Sequence, residues 1–141
     1  MIFAVAEYWD RFGFSPENLM ERAHEYSKQA YAPYSKFSVG AALLTEEGEV
    51  VGGCNVENAS YGMSLCAERV AMSNAVLRGC RRPLAIAVAS SHPAFCPPCG
   101  ACRQFLSEFN PDIDVLLSVD GQLAIYRLDS LLPLRFKLDI A

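Results

Sequence analysis

Two short segments constrain this chain more than any others: Cys66-Ala67-Glu68 and Pro98-Cys99-Gly100-Ala101-Cys102. Cys66 opens one predicted helix. Cys99 and Cys102, three apart, share a face near the start of another. Residues two apart do not share a helix face, so Cys66 and Glu68 serve one site only if it lies off the helix end. The fold must therefore bring two helix N-termini to one point. Three cysteines can supply three thiolates to a tetrahedral zinc and leave its fourth position to water, the arrangement of a catalytic rather than a structural ion. Bound zinc lowers the pKa of its water from about 15.7 towards 7. Glu68 is near enough to move that water's proton. The partial positive charge at both helix starts favours thiolates. The alternative is a buried apolar Cys66 beside an unrelated Cys-x-x-Cys pair, and the joint occurrence of both halves at helix starts weighs against it.

The remaining elements must hold those two helices in place. Ser15-Pro16-Glu17 reads as a helix start, with serine as N-cap and proline at the first helical position. Leu19, Ala23, Tyr26 and Ala30 then fall on one face, and Ala32-Pro33-Tyr34-Ser35 breaks the helix. A strand over 37–44 turns at Glu46-Glu47-Gly48 into a second strand over 50–54. Residues 66–78 form a helix that is apolar almost all round, the mark of a buried one, with Gly79 at its end. The run from Leu84 to Ala89 is continuously apolar, as in a strand covered on both faces. The second cysteine helix runs from Pro98 to Asn110-Pro111. Val115 to Leu117 is a strand, and Asp120-Gly121 is a hairpin signal leading into Leu123 to Tyr126. The order α-β-β-α-β-α-β-β predicts an α/β layered domain, a mixed five-stranded sheet with helices on its faces. Residues 1–14 form a short extension with aromatic anchors (Phe3, Tyr8, Trp9, Phe12, Phe14), and residues 15–141 a single domain.

Other reactive side chains fit ordinary roles. Cys96 precedes Pro97-Pro98, which excludes regular helix, so it sits in a loop and is assigned as a bystander despite the overlapping Cys96-x-x-Cys99 spacing. Cys54 and Cys80 read as core cysteines. His24 and His92 lack metal-site spacing and are expected to be structural. Three thiolates on a dication leave a formal charge of −1. Arg69 and Arg103, next to Glu68 and Cys102, are placed to pull charge back by donating to thiolate; the alternative for each is a solvated helix arginine.

Composition excludes several classes. One compact domain is expected at 141 residues. Net charge is −4, with Arg81-Arg82 the only basic pair, so the basic face of a nucleic-acid binder is missing. No segment approaches the roughly 20 apolar residues of a membrane helix. Ile2-Phe3-Ala4-Val5-Ala6 is too short for a secretory leader, and no basic region precedes it. Six cysteines in such a chain point to a reducing compartment, and a cytoplasmic location is expected. An apolar content of 52 % against 20 % charged suggests a buried subunit interface.

With those residues in place, the chain resembles the cytidine deaminases of the small homotetrameric class. Zinc on three cysteines, a non-ligand glutamate as acid and base, and a Pro-Cys-x-x-Cys half-site form the pattern known for zinc deaminases in general, and it is matched here. Further matching segments are Tyr34-Ser-Lys-Phe37-Ser-Val-Gly40-Ala-Ala-Leu43, Asn55-Val56-Glu57-Asn58-Ala59-Ser60-Tyr61, Cys102-Arg103-Gln104 and Leu131-Leu132-Pro133-Leu-Arg-Phe136, spanning about residues 16 to 136. The resemblance implies zinc on Cys66, Cys99 and Cys102, with Glu68 catalytic. It also implies that Phe37 packs on a pyrimidine ring, that Asn55 and Glu57 bond ribose hydroxyls, and that groups around Ala67 and Cys99 hold the base edge. It implies a free nucleoside as substrate, no nucleic acid, and a homotetramer in which Phe136 lies near a neighbour's site. The residues alone agree more weakly. An aromatic face suits a flat base, and buried polar groups discriminate hydroxyls strongly. Taken singly, however, Phe37 reads as core, and Asn55 and Glu57 as turn and surface residues.

Overall fold

The computed structural model describes residues 8–92 and 96–139. Five strands, β1 (Val39–Leu44), β2 (Val50–Cys54), β3 (Ala85–Ser90), β4 (Asp114–Val119) and β5 (Gln122–Arg127), form one sheet in the order β2-β1-β3-β4-β5. Only β3 and β4 run parallel; the other pairs are antiparallel. The helices are α1 (Tyr8–Phe12), α2 (Pro16–Ser27), α3 (Ala67–Leu77), α4 (Gly100–Ser107) and α5 (Leu128–Leu131). The expected mixed five-stranded α/β sheet is therefore the observed fold.

Strand side chains alternate between faces with a period of two. Ala41, Leu43, Ile86 and Val88 pack with Met72 of α3 and Leu106 of α4. Ala42, Leu44, Ala85 and Ala87 face the other way, onto Leu19 and Ala23 of α2. Every residue of β3 is buried, which explains the apolar run through it. Gly53 sets the distance between β2 and α3: a Cβ there would stand 2.5 Å from Ala67 O and 2.4 Å from the Ala71 nitrogen. Its missing side chain thus lets the strand lie against the first turns of α3, next to Cys66.

Ser15 caps α2, its hydroxyl accepting from the Asn18 N–H at 3.1 Å. Asp120 and Gly121 both take positive φ (50° and 78°), the two-residue hairpin turn that their pairing signals. The aromatic anchors Tyr8, Trp9, Phe12 and Phe14 pack into the α2-side cluster, Trp9 being only 2 % exposed; Phe3 lies outside the described residues. Two features depart from expectation. The second cysteine helix stops at Ser107, because Asn110 turns the chain back by accepting at Oδ1 from Asp112 and donating to Pro83 O. The helix α3 is not buried all round: Ala67, Ala71, Met72 and Ala75 face the core, but Leu77 is 86 % exposed. This helix covers one face of the sheet, and among the described residues nothing covers its outer side.

Candidate metal centre and its pocket

Cys66 and Cys99 are the N-caps of α3 and α4, both extended in backbone, and Cys102 lies in the first turn of α4. Their sulfurs gather within 4.8 Å of one another. Cys66 Sγ stands 3.9 Å from Cys99 Sγ, and Cys99 Sγ 3.5 Å from Cys102 Sγ. Sulfurs on a tetrahedral zinc at about 2.3 Å lie about 3.8 Å apart, so the donor set fits zinc in chemistry and in spacing. Cys102 is buried, Cys66 half-buried and Cys99 exposed. Hydrogen bonding from Cys102 pulls the Cys66 thiol down to about 5 against the penalty of burial, with Arg69 and Cys99 adding to it. Cys102 moves the opposite way, so the group titrates as a unit.

Glu68, in the first turn of α3, is 5 % exposed. Burial holds its carboxyl above the usual range, and negative charge on Cys66 adds to the shift. It lines a cavity of about 240 Å³ together with Cys66, Cys99, Ala67, Asn55 and Glu57. Cys96 is in that wall too but outside the sulfur trio. Burial raises its thiol pKa, and the charges of Glu68 and Cys66 raise it further, against a hydrogen bond with Ser90.

The two arginines diverge. Arg69 Nη2 stands 3.9 Å from Cys66 Sγ and 3.2 Å from Ser64 O. Arg103 is a correction. It does not reach a thiol but donates from Nε to Pro98 O at 2.8 Å and from Nη1 to Leu131 O at 2.7 Å. One residue past Cys102 turns its side chain about 100° around the helix, away from the sulfurs and towards the C-terminal segment.

At the open end, Asn55 Oδ1 accepts from the Val39 N–H at 2.8 Å and its Nδ2 donates to Phe37 O at 2.9 Å. Phe37 does not line the cavity; its ring stands edge-on to His92, centroids 5.0 Å apart. Glu57 Oε1 accepts from the N–H groups of Tyr34 and Ser35, and Oε2 from the Ser35 hydroxyl. Ser35, which no spacing or motif singles out, supplies two of these three contacts; its hydroxyl two residues before Phe37 is the only local signal of it.

Residues 15–117 match the family model for the cytidine and deoxycytidylate deaminase zinc-binding region. The chain belongs to the zinc-dependent cytidine deaminase family. It is 45 % identical to a cytidine deaminase of Halalkalibacterium halodurans over 117 residues, 82 % of this chain and 89 % of that one. A crystal structure of cytidine deaminase from Burkholderia pseudomallei superposes with a TM-score of 0.82 at 44 % identity, covering 87 % of this chain and 100 % of that one. A more distant relative, at 32 % identity over 84 % of this chain and 89 % of its own, is the blasticidin-S deaminase of Bacillus cereus. The family is enzymatic and zinc-binding, in agreement with the cysteine trio.

Proposed function

We infer that this family member hydrolyses cytidine and deoxycytidine to uridine and deoxyuridine with release of ammonia, a step of pyrimidine salvage. The observation that carries the reading is the placement of Glu68: a buried carboxyl in the wall of the cavity that also holds the Cys66 and Cys99 sulfurs. When bound, zinc supplies an activated water at neutral pH. Glu68 takes a proton from the attacking water and passes it to N3 of the base. It then takes the second proton from the hydroxyl now on C4 and delivers it to the amine, so that the C4–N bond breaks, ammonia leaves and the C4 carbonyl forms. A carboxyl whose pKa burial moves towards neutrality suits both halves of that work.

The other residues bind and orient. Arg69 draws charge from Cys66. Groups around Ala67 and Cys99 hold the base edge, and the Phe37 ring packs on the pyrimidine once a nucleoside enters. Asn55 keeps one N–H and one lone pair beyond those it uses on residues 37 and 39, enough to read a hydroxyl. Glu57 repels a nearby phosphate, so cytidine monophosphate is a much poorer substrate. The net charge of −4 argues against single-stranded DNA. Likeness to a blasticidin-S deaminase favours a second reading, a modified cytosine nucleoside; the sugar-side pair Asn55 and Glu57 favours plain ribose.

A homotetramer accounts for the exposed apolar side chains Tyr31, Tyr61, Met63, Leu77 and Phe136. Light scattering should report four copies, and a fully active monomer would contradict this. Ammonia release from cytidine, deoxycytidine, cytidine monophosphate, blasticidin S and an oligonucleotide is the deciding measurement. Zinc-loaded protein that leaves cytidine untouched would end the reading.

A further inference from the structure

The Ser35 hydroxyl makes two bonds at once. It donates to Glu57 Oε2 and accepts from the Phe37 N–H at 3.0 Å. It thus ties the carboxylate proposed for the sugar to the segment carrying the aromatic ring proposed for the base. Between its two partners lies Lys36, at φ +60°. A non-glycine residue in this left-handed region costs about 1 kcal/mol or more and persists where its surroundings hold it. Here the surroundings are identifiable. Lys36 N–H donates to Ala32 O at 3.1 Å, Phe37 O accepts from Asn55 Nδ2, and the Ser35 hydroxyl closes the turn. The loop is also fixed to the 55–57 segment through Tyr31, whose N–H donates to Asn55 O and whose carbonyl accepts from the Glu57 N–H.

The carboxylate of Glu57 has few free positions. A carboxylate offers about four acceptor sites. The two N–H donors from Tyr34 and Ser35 occupy Oε1, and the Ser35 hydroxyl takes one site on Oε2. The remaining site, on Oε2, is the one for a ligand, and the oxygen that carries it is held by Ser35. These contacts also keep Glu57 ionised, with the Ser35 hydroxyl the largest influence, so the site stays an acceptor.

We propose that Ser35 is a positioning residue for nucleoside recognition, acting through Glu57 by fixing which carboxylate oxygen faces the sugar. This rests on the proposed nucleoside deaminase activity. Ser35 does not touch the thiols or Glu68 and is remote in chain from both, so its loss should appear in KM and leave kcat in place.

The experiment compares zinc-loaded wild-type protein with Ser35→Ala, Ser35→Thr, Glu57→Ala and the double variant Ser35→Ala/Glu57→Ala, measuring KM and kcat for cytidine and zinc content. A charge-assisted hydrogen bond lost at a partly exposed site corresponds to about a fivefold rise in KM. Ser35→Ala should show that rise with kcat within about twofold and zinc unchanged. Ser35→Thr, which keeps the hydroxyl, should restore it. In the Glu57→Ala background Ser35→Ala should change KM by less than about twofold. A wild-type KM in Ser35→Ala overturns the inference, as does a fivefold rise that survives undiminished without Glu57. Wild-type protein inactive on cytidine overturns the parent activity, and the inference with it.

Discussion

The metal end of the pocket, with its thiol trio, and the end we propose for the sugar are built on different principles. At the metal end, each thiol of the trio sits on the cap or first turn of a helix, and the two helices are seated on one buried sheet face. Gly53 sets the approach of the first of them. At the sugar end, the residues come from irregular segments, 31–37 and 55–65, held together by side-chain bonds to backbone and by a left-handed Lys36. The Glu68 carboxyl and Cys102 are buried, Cys66 is half-buried and Cys99 stands at the exposed edge, all at helix starts. In the proposed reading, recognition of a substrate that must enter and leave falls to loops.

The difference can be broken by experiment. The largest effect belongs to the metal end. Cys99→Ala should lose zinc and all measurable activity, whereas Cys96→Ala, which removes a wall residue outside the trio, should keep the metal. Loss of zinc in Cys96→Ala alone would reverse the ligand assignment. Glu68→Gln comes next. Turnover should fall by more than the ~10²–10⁴ usual for a positioned acid or base, because one carboxyl serves both halves of the reaction. Zinc and nucleoside binding should remain, as read by metal analysis and equilibrium dialysis; near-normal turnover would exclude the mechanism.

The sugar end should respond in affinity instead. Glu57→Ala is expected to raise KM for cytidine about tenfold, the loss of one charge-assisted hydrogen bond, with zinc stoichiometry and kcat near wild type. A collapse in kcat would show that the two ends are one mechanical unit. The smallest effect concerns Arg103, which joins Pro98 to Leu131 and not to sulfur. Arg103→Ala should lower stability to denaturant by about 1–3 kcal/mol and leave zinc affinity within about twofold. A tenfold loss of zinc affinity would restore the tuning role that its position beside Cys102 suggests.

What could be read from the sequence follows the same division. Cys66, Cys99 and Cys102 announce themselves because local spacing and helix starts determine where their side chains meet. The Asp120-Gly121 turn and the apolar β3 are likewise local signals. Arg103 was misdirected because neighbouring positions on a helix point in different directions, and only the arrival of Leu131 decides which carbonyls it meets. The partners of Glu57 are 22 and 23 residues away, so no spacing rule reaches them. The short α1 was legible only as a cluster of aromatics; its five residues are too few to form a helix without tertiary packing. The exposed face of α3 escaped because apolar character all round does not say whether the cover comes from the same chain.

Trp9 is the chain's only tryptophan, and it lies in the layer opposite the thiols. The tryptophan fluorescence of this protein, excited at the red edge where its tyrosines do not absorb, therefore has a single, deeply shielded source. Its emission should be blue-shifted in the native state and move to the red when the α2 layer opens. The signal should be nearly blind to metal or nucleoside arriving across the sheet. It provides a folding probe that is optically separate from catalysis, so a variant's loss of activity can be distinguished from its loss of structure in one cuvette.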